Sequence, residues 1–343
     1  MFFGSGSLGV PCLQELARRG FIDVVVSQPD RPAGRGRVST PTPISVAALE
    51  CGLKLIRTDN ANQLETLDQC AHAKVLVVIA FGQKLLPELI ADRVAINLHP
   101  SALPKWRGAA PIQRAMMAGE QRITACAMAV AERMDAGAIY ARHDFELGAT
   151  ETAEELHDRI ARDSVEMMLQ TIERARVGAI IGQEQIEAHA TRAMKLSKSE
   201  AYVDFAQPAQ LVRCRIHGLA PWPGCDAEIS GEPIRLLRVR EVSVNGAALS
   251  AAPSGNLPGE NLSGKNLPSK NLPSKNLPGK NLPSKNVPGE ILQGGFVACG
   301  VGAIEIMQVQ PVGGRAMAWQ DFCRGRSIQT GQRMTSAPRK EQT

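Results

Sequence analysis

An amide and an imidazole, Asn97 and His99, stand two residues apart in the run INLHPSALPKWRGAAPIQ over positions 96–113. Between them they offer hydrogen-bond donation and proton exchange near neutral pH. Small and β-branched residues over Val94 to Leu98 predict a short buried strand that Pro100 must end. In an extended backbone positions 97 and 99 face one side and Leu98 the other, so the two polar side chains converge. Ser101 to Pro104 then reads as a tight turn. Gly108 to Pro111 opens a helix that Gly119 closes, with proline near the first turn, where its missing N–H costs nothing. Strand, polar loop and helix make up the α/β arrangement in which ligands sit outside the carboxyl ends of strands. A carboxylate, Asp135, lies in the turn Glu132 to Gly137; taken alone, an Asp this close to a Gly most often caps its own turn.

The elements that must hold these groups alternate between strand and helix up to Asn97, which predicts an α/β, doubly wound, Rossmann-like sheet. Met1 to Phe3 reads as a strand, and Gly4, Gly6 and Gly9 follow before a helix over Val10 to Arg19. These glycines spell G-x-G-x-x-G, with Asp30 placed 21 residues beyond Gly9 and just after the apolar strand Phe21 to Val26. An NAD-dependent oxidoreductase is therefore an alternative reading. Lys74 to Ile79 is apolar enough for a central parallel strand, and Thr124 to Val130 and Ala138 to Arg142 supply two more. Glu151 to Arg176 predicts one long amphipathic helix burying Leu156, Ile160, Met167, Met168 and Ile172. Gln28 to Pro43, with four prolines, two glycines and three arginines, reads as a loop. Guanidinium groups spread along it, at Arg31, Arg35 and Arg37, suit phosphate oxygens or a guanine edge.

Composition bounds the rest. With 343 residues and a 44% hydrophobic fraction the chain is long enough for two domains with cores of their own. No apolar run is long enough for a membrane span and no leader pattern opens the sequence, so a soluble cytoplasmic protein is expected. Eight cysteines without a CxxC pair or Cys/His spacing speak against a disulfide framework and against a metal site. Residues 1–182 form the first expected domain, and the polar stretch 183–200 a linker. A barrel of short strands is expected over 201–333, following a helix at Leu211 to Leu219 and the turn Pro221-Trp-Pro-Gly224. Residues 256–290 repeat a five-residue unit of the form NLPSK, with five lysines against two glutamates. That period fits no regular element, so a disordered basic insert is expected there, and a second disordered tail over 334–343.

Taken together these motifs resemble the folate-dependent formyltransferases that act on methionyl-tRNA. Asn97, His99, Ser101 to Pro104 and Trp106 to Gln113 are similar to that family's signature. Gln28 to Gly36 resembles its tRNA-binding loop, Met134 to Gly137 its second catalytic segment, and Lys195 to Lys198 with Pro221 to Gly224 the start of its C-terminal domain. The family commonly has proline where this chain has Gly6 and an aromatic where it has Leu8. The resemblance implies an α/β formyltransferase domain followed by a small oligonucleotide-binding (OB)-like barrel. It implies transfer of the formyl group of 10-formyltetrahydrofolate to the α-amine of initiator methionyl-tRNA, with no metal, by a monomer; formylation of another amine, such as an amino sugar, is a further alternative. Asn97 and His99 would then donate to the developing oxyanion, and Asp135 would orient the imidazole and accept the proton. Ser101, Ala102, Leu103 and Pro104, with Phe81, Gly82 and Leu86, would hold the folate. Arg31, Arg35 and Arg37 would bind tRNA.

Overall fold

The computed structural model describes residues 1–33, 36, 38–63, 66, 68–69, 72–242 and 286–336. Its first body is a seven-stranded sheet built from β1 (Phe2–Gly4), β2 (Val24–Ser27), β3 (Lys54–Arg57), β4 (Val75–Ile79), β5 (Val94–His99), β6 (Arg122–Ala129) and β7 (Ile139–Glu146). They lie in the order β7-β6-β5-β4-β1-β2-β3. The five strands from β5 to β3 are parallel, while β6 and β7 run antiparallel at one edge. Chain order reverses between β1 and β4, so the carboxyl ends of these strands open the crevice where an α/β sheet takes ligands.

Both faces of the sheet are covered, and the sequence of β1 shows why. Phe2 and Phe3 point to opposite faces, yet both are wholly buried. Phe2 packs with Leu13, Leu16 and Ile44 under the helices Val10–Arg18 and Pro43–Glu50, whereas Phe3 packs with Val26, Leu76 and Phe81 on the other side. Such strands read as continuous apolar runs because no face meets water. The expected long helix is two, Ala153–Asp163 and Val165–Arg176, divided at Ser164, where the backbone stays helical but ψ relaxes to −5°. Gln28 to Pro43 is not all loop: Arg31–Ala33 and Val38–Thr40 pair as a short antiparallel hairpin.

The second body is an antiparallel barrel of β8 (Cys225–Ile229), β9 (Glu232–Val242), β10 (Val297–Ala298), β11 (Ala303–Pro311) and β12 (Met334–Thr335), ordered β10-β11-β9-β8-β12. Two register shifts in β9, around Arg238, bend the long strand as β-bulges do. Two sequence expectations are corrected here. Most of the repeat insert, 256–285, lies with 243–255 outside the described residues, but its last unit, 286–290, does not. Glu290 bridges Arg333 and Ile291 bridges Val297, so this segment joins the two edges of the barrel. The tail likewise starts later than residue 334, because Met334 is buried in the barrel core and pairs with Ile229. Residues 337–343 lie outside the described residues. Among the described residues no helix is long and apolar enough to cross a membrane.

The two bodies pack directly. Gly218, in the helix Ala209–Gly218, comes so close to Pro111–Met117 that a Cβ there would sit 2.8 Å from Met117 Cγ. Arg238 reaches from β9 to the carbonyl of Thr150 at 2.7 Å and to the carboxylate of Glu155, which also closes the capping box of helix Ala153–Asp163. That interdomain guanidinium is the first cause of Glu155's carboxyl lying at about 2, well below its ordinary 4.5. Residues 183–200 are no free linker either: Arg192–Ala193 pairs in parallel with Arg107–Gly108, against the crevice.

Candidate active site

His99 ends β5 opposite Cys126 of β6, and only 5% of it is exposed. Its Nε2 lies 3.1 Å from the carbonyl oxygen of Trp106. A carbonyl can only accept, so Nε2 carries a hydrogen and donates it there. Nδ1 is then the nitrogen left open, and it faces Asp135 Oδ1 at 3.6 Å. The structure brings His99 and Asp135 together, with Nε2 of the ring turned to the loop and Nδ1 turned to the carboxylate.

Asp135 does not cap its own turn. That turn is closed by Ala136 N–H on Arg133 O, while Asp135 Oδ2 accepts the N–H of Gly108 at 2.9 Å. The contact requires the 106–110 loop to sit tightly against the segment after residue 183. Ala109 and Ala110 N–H both donate to Ala193 O, and a Cβ on Gly108 (φ +127°) would lie 2.7 Å from the same oxygen. Thr191 completes the brace, its hydroxyl oxygen accepting Trp106 N–H at 2.9 Å and its carbonyl accepting Arg107 N–H.

Asn97 shares the β5 face with His99. It is half-buried, and its carboxamide makes no hydrogen bond among the described residues. A half-buried amide of this kind is a donor and acceptor open to a ligand.

Of the seven residues expected to hold folate, three have side chains used by the fold itself. Phe81 meets Phe3 edge-on at 5.5 Å, Leu103 packs with Cys126, Met128 and Ile139, and the Ser101 hydroxyl donates to Lys105 O at 2.8 Å. Any contact from these three runs through backbone atoms. Ala102 and Pro104 are half-buried and Leu86 is exposed, leaving apolar surface beside Asn97's strand end. Gly82 (φ +76°) lets Gln28 close over the 80–86 turn and donate to Phe81 O at 2.7 Å.

The dinucleotide reading fails on geometry. The amides of Ser5 and Gly6, which would have to meet a pyrophosphate, both donate to Ala80 O, at 3.2 and 3.0 Å. Gly6 is small because Ala80 approaches it: a Cβ there would sit 2.9 Å from that of Ala80. Asp30 is paired with Arg57 at 3.1 Å. Of the arginines expected to bind tRNA, Arg31 lies exposed on the hairpin, and Arg35 and Arg37 fall outside the described residues.

One group escaped the sequence reading. Gln185 donates through Nε2 to the carbonyls of Asp135 (2.9 Å) and Gly137 (2.8 Å), and its Oε1 accepts Nε and Nη2 of the buried Arg107. Arg107 also reaches Glu187 at 2.9 Å. Nothing local marks Gln185, since its partners are 48 to 78 positions away in sequence.

This Rossmann-like sheet followed by a barrel is that of a formyl transferase, as the matches to both of that family's domains show. The formyl transferase family matches residues 1–172 and its C-terminal domain residues 195–327. The methionyl-tRNA formyltransferase of Cereibacter sphaeroides is 33% identical over 342 residues, covering 98% of this chain and 99% of its own length. That of Neisseria gonorrhoeae is 32% identical over 346 residues, covering 97% and 99%. Among solved structures, WlaRD, a sugar 3N-formyl transferase, shares the fold at 14% identity and a TM-score of 0.55, over 70% of this chain and 85% of its own. The chain belongs to the methionyl-tRNA formyltransferase family.

Proposed function

We propose that the protein transfers the formyl group of 10-formyltetrahydrofolate to the α-amine of initiator methionyl-tRNA. The observation that carries this reading is the His99–Asp135 pair beside an unpartnered Asn97, on a chain that matches methionyl-tRNA formyltransferases from end to end. The residues present fit a folate. Asn97 offers a free carboxamide, and Ala102, Pro104 and Leu86 offer apolar surface flanked by backbone groups. The bound folate supplies the formyl group.

An amine attacking a formyl carbon places negative charge on the formyl oxygen and must lose a proton. Asn97 Nδ2 donates to that oxygen. His99 Nδ1 takes the proton, with Asp135 Oδ1 beside it: the imidazolium that forms donates to Trp106 O through Nε2 and lies against the carboxylate through Nδ1, and it would return that proton to the folate nitrogen as the bond from that nitrogen to the formyl carbon breaks and tetrahydrofolate leaves. Gly108 N–H keeps the carboxylate aimed at the ring throughout. Arg31, with Arg35 and Arg37, holds the tRNA backbone, and the barrel adds contacts independent of sequence.

The test is transfer of labelled formyl from 10-formyltetrahydrofolate to charged initiator tRNA, with a nucleotide-linked amino sugar as the competing amine. Transfer to the tRNA and none to the sugar is expected. Formylation of the sugar alone would overturn the reading.

A further inference from the structure

Asp135 sits at φ +53°, in the left-handed region that residues with a Cβ rarely adopt. Its carboxylate can meet both His99 and Gly108 only while the backbone stays in that conformation. The ladder bond from Ala129 N–H to Ala138 O lies beyond the turn, and the N–H half of the peptide that follows Asp135, that of Ala136, donates to Arg133 O. The carbonyl half of that peptide, Asp135 O, accepts one hydrogen of Gln185 Nε2, and the other hydrogen goes to Gly137 O. The amide can present both hydrogens this way because its oxygen is held by the guanidinium of Arg107, only 9% exposed and itself anchored on Glu187. An Arg-held carboxamide oxygen fixes which end of Gln185 faces the turn.

We infer that Gln185 is a positioning residue for formyl transfer, acting through Asp135: with its oxygen fixed by Arg107, its amide clamps the carbonyls on either side of Ala136 and so sets where the Asp135 carboxylate stands against His99. The clamp spans three pieces of chain, the 106–108 loop, the 135–137 turn and the segment after residue 183, so the stretch that follows the first domain sets the geometry of the catalytic carboxylate. This inference rests on the formyl-transfer reading for its effect on turnover, but not for its geometry.

Two variants separate the clamp from its anchor. Gln185→Glu keeps an oxygen for Arg107 and replaces the donor by a second oxygen facing two carbonyls. Gln185→Met removes both functions at nearly constant volume. A displacement of about 1 Å at a catalytic group costs roughly a hundredfold. The expectation for Gln185→Glu is a kcat lowered about a hundredfold, with KM for folate and tRNA within about twofold and an unchanged melting temperature. Hydrogen exchange at the Gly108 amide, which donates to Asp135, reads the geometry directly and is expected to speed up in both variants while amides of the core strands keep their protection. Wild-type exchange at Gly108 with wild-type kcat in Gln185→Glu would overturn the inference. So would a loss of turnover accompanied by a general loss of protection in both variants. If the wild-type protein itself transfers no formyl group, the functional reading fails, and the Gly108 exchange still decides the clamp.

Discussion

His99 Nδ1 and Asp135 Oδ1 face each other at 3.6 Å, while the second oxygen of the same carboxylate is held by Gly108 N–H at 2.9 Å. The carboxylate is thus anchored through one oxygen and free to act through the other. The charge of Oδ1, rather than its hydrogen bonding, is what the imidazolium needs. Asp135→Asn isolates that charge, because the amide oxygen can still accept from Gly108. Its kcat is expected to fall between about a hundredfold and ten-thousandfold, the range that proton-transfer groups contribute. KM for both substrates and the melting temperature stay near wild type. Steady-state transfer assays over a range of both substrates check this, and near-wild-type turnover would remove the carboxylate from the mechanism.

Gly137 tests the same geometry from the opposite side. A Cβ on it would lie 2.1 Å from the carbonyl oxygen of Ala129, a backbone atom at the end of β6 that cannot move aside. Gly137→Ala must therefore displace the 130–138 segment and, with it, Asp135. Overpacking of this kind costs about 1–3 kcal/mol. A lowered melting temperature is expected, together with a kcat reduced by at least about tenfold. Unchanged kcat in a variant that does lose stability would show that the turn can shift without moving the carboxylate.

What the sequence made legible depends on whether the deciding contact is local. The convergence of Asn97 and His99 follows from strand alternation alone, and the unbroken apolar run up to Ile79 announces a central strand buried on both faces. The glycines at 4, 6 and 9 mislead for the converse reason. The amides of Ser5 and Gly6 in that turn have a competing acceptor, Ala80 O, that lies more than seventy positions away and leaves no mark on the first turn. Gln185 and Thr191 sit in a polar stretch that reads as a linker, because what they hold is brought to them only by the folded sheet. The last unit of the repeat looks like the others, yet Glu290, with Ile291 just after it, bridges Arg333 and Val297 at the two edges of the barrel.

His217, on the helix facing β9, gives the protein a pH-dependent stability. Its Nε2 accepts the N–H of Val239 at 3.1 Å, it is 1% exposed, and its Nδ1 has no partner. Burial first, then the cations of Arg213 and Arg238, hold it at about 4 against an ordinary 6.5, with Glu155 opposing them. The folded state therefore prefers the neutral ring. The stability this gives is complete above about pH 6.5 and is lost progressively toward pH 4, as the unfolded chain takes up a proton the folded one refuses. The loss amounts to about 3 kcal/mol across that window. His217→Gln keeps an acceptor for Val239 and has nothing to titrate, so its melting temperature is expected to fall less steeply over the same range. Parallel slopes for the two proteins would assign the acid sensitivity elsewhere.

Arg31 is exposed on the hairpin and forms no ion pair among the described residues, whereas Arg57 nearby is paired with Asp30. A guanidinium that stays free in the folded protein gives up little when it meets a phosphate; a paired one must first leave its carboxylate. Arg31→Ala is therefore expected to raise KM for tRNA by about three- to tenfold with kcat unchanged. It should also reduce the slope of log(kcat/KM) against log salt by about one, the loss of a single phosphate contact. Arg57→Ala is expected to leave that slope unaltered, because it removes a charge already neutralised. Equal salt slopes for wild type and Arg31→Ala would place the tRNA backbone away from the hairpin.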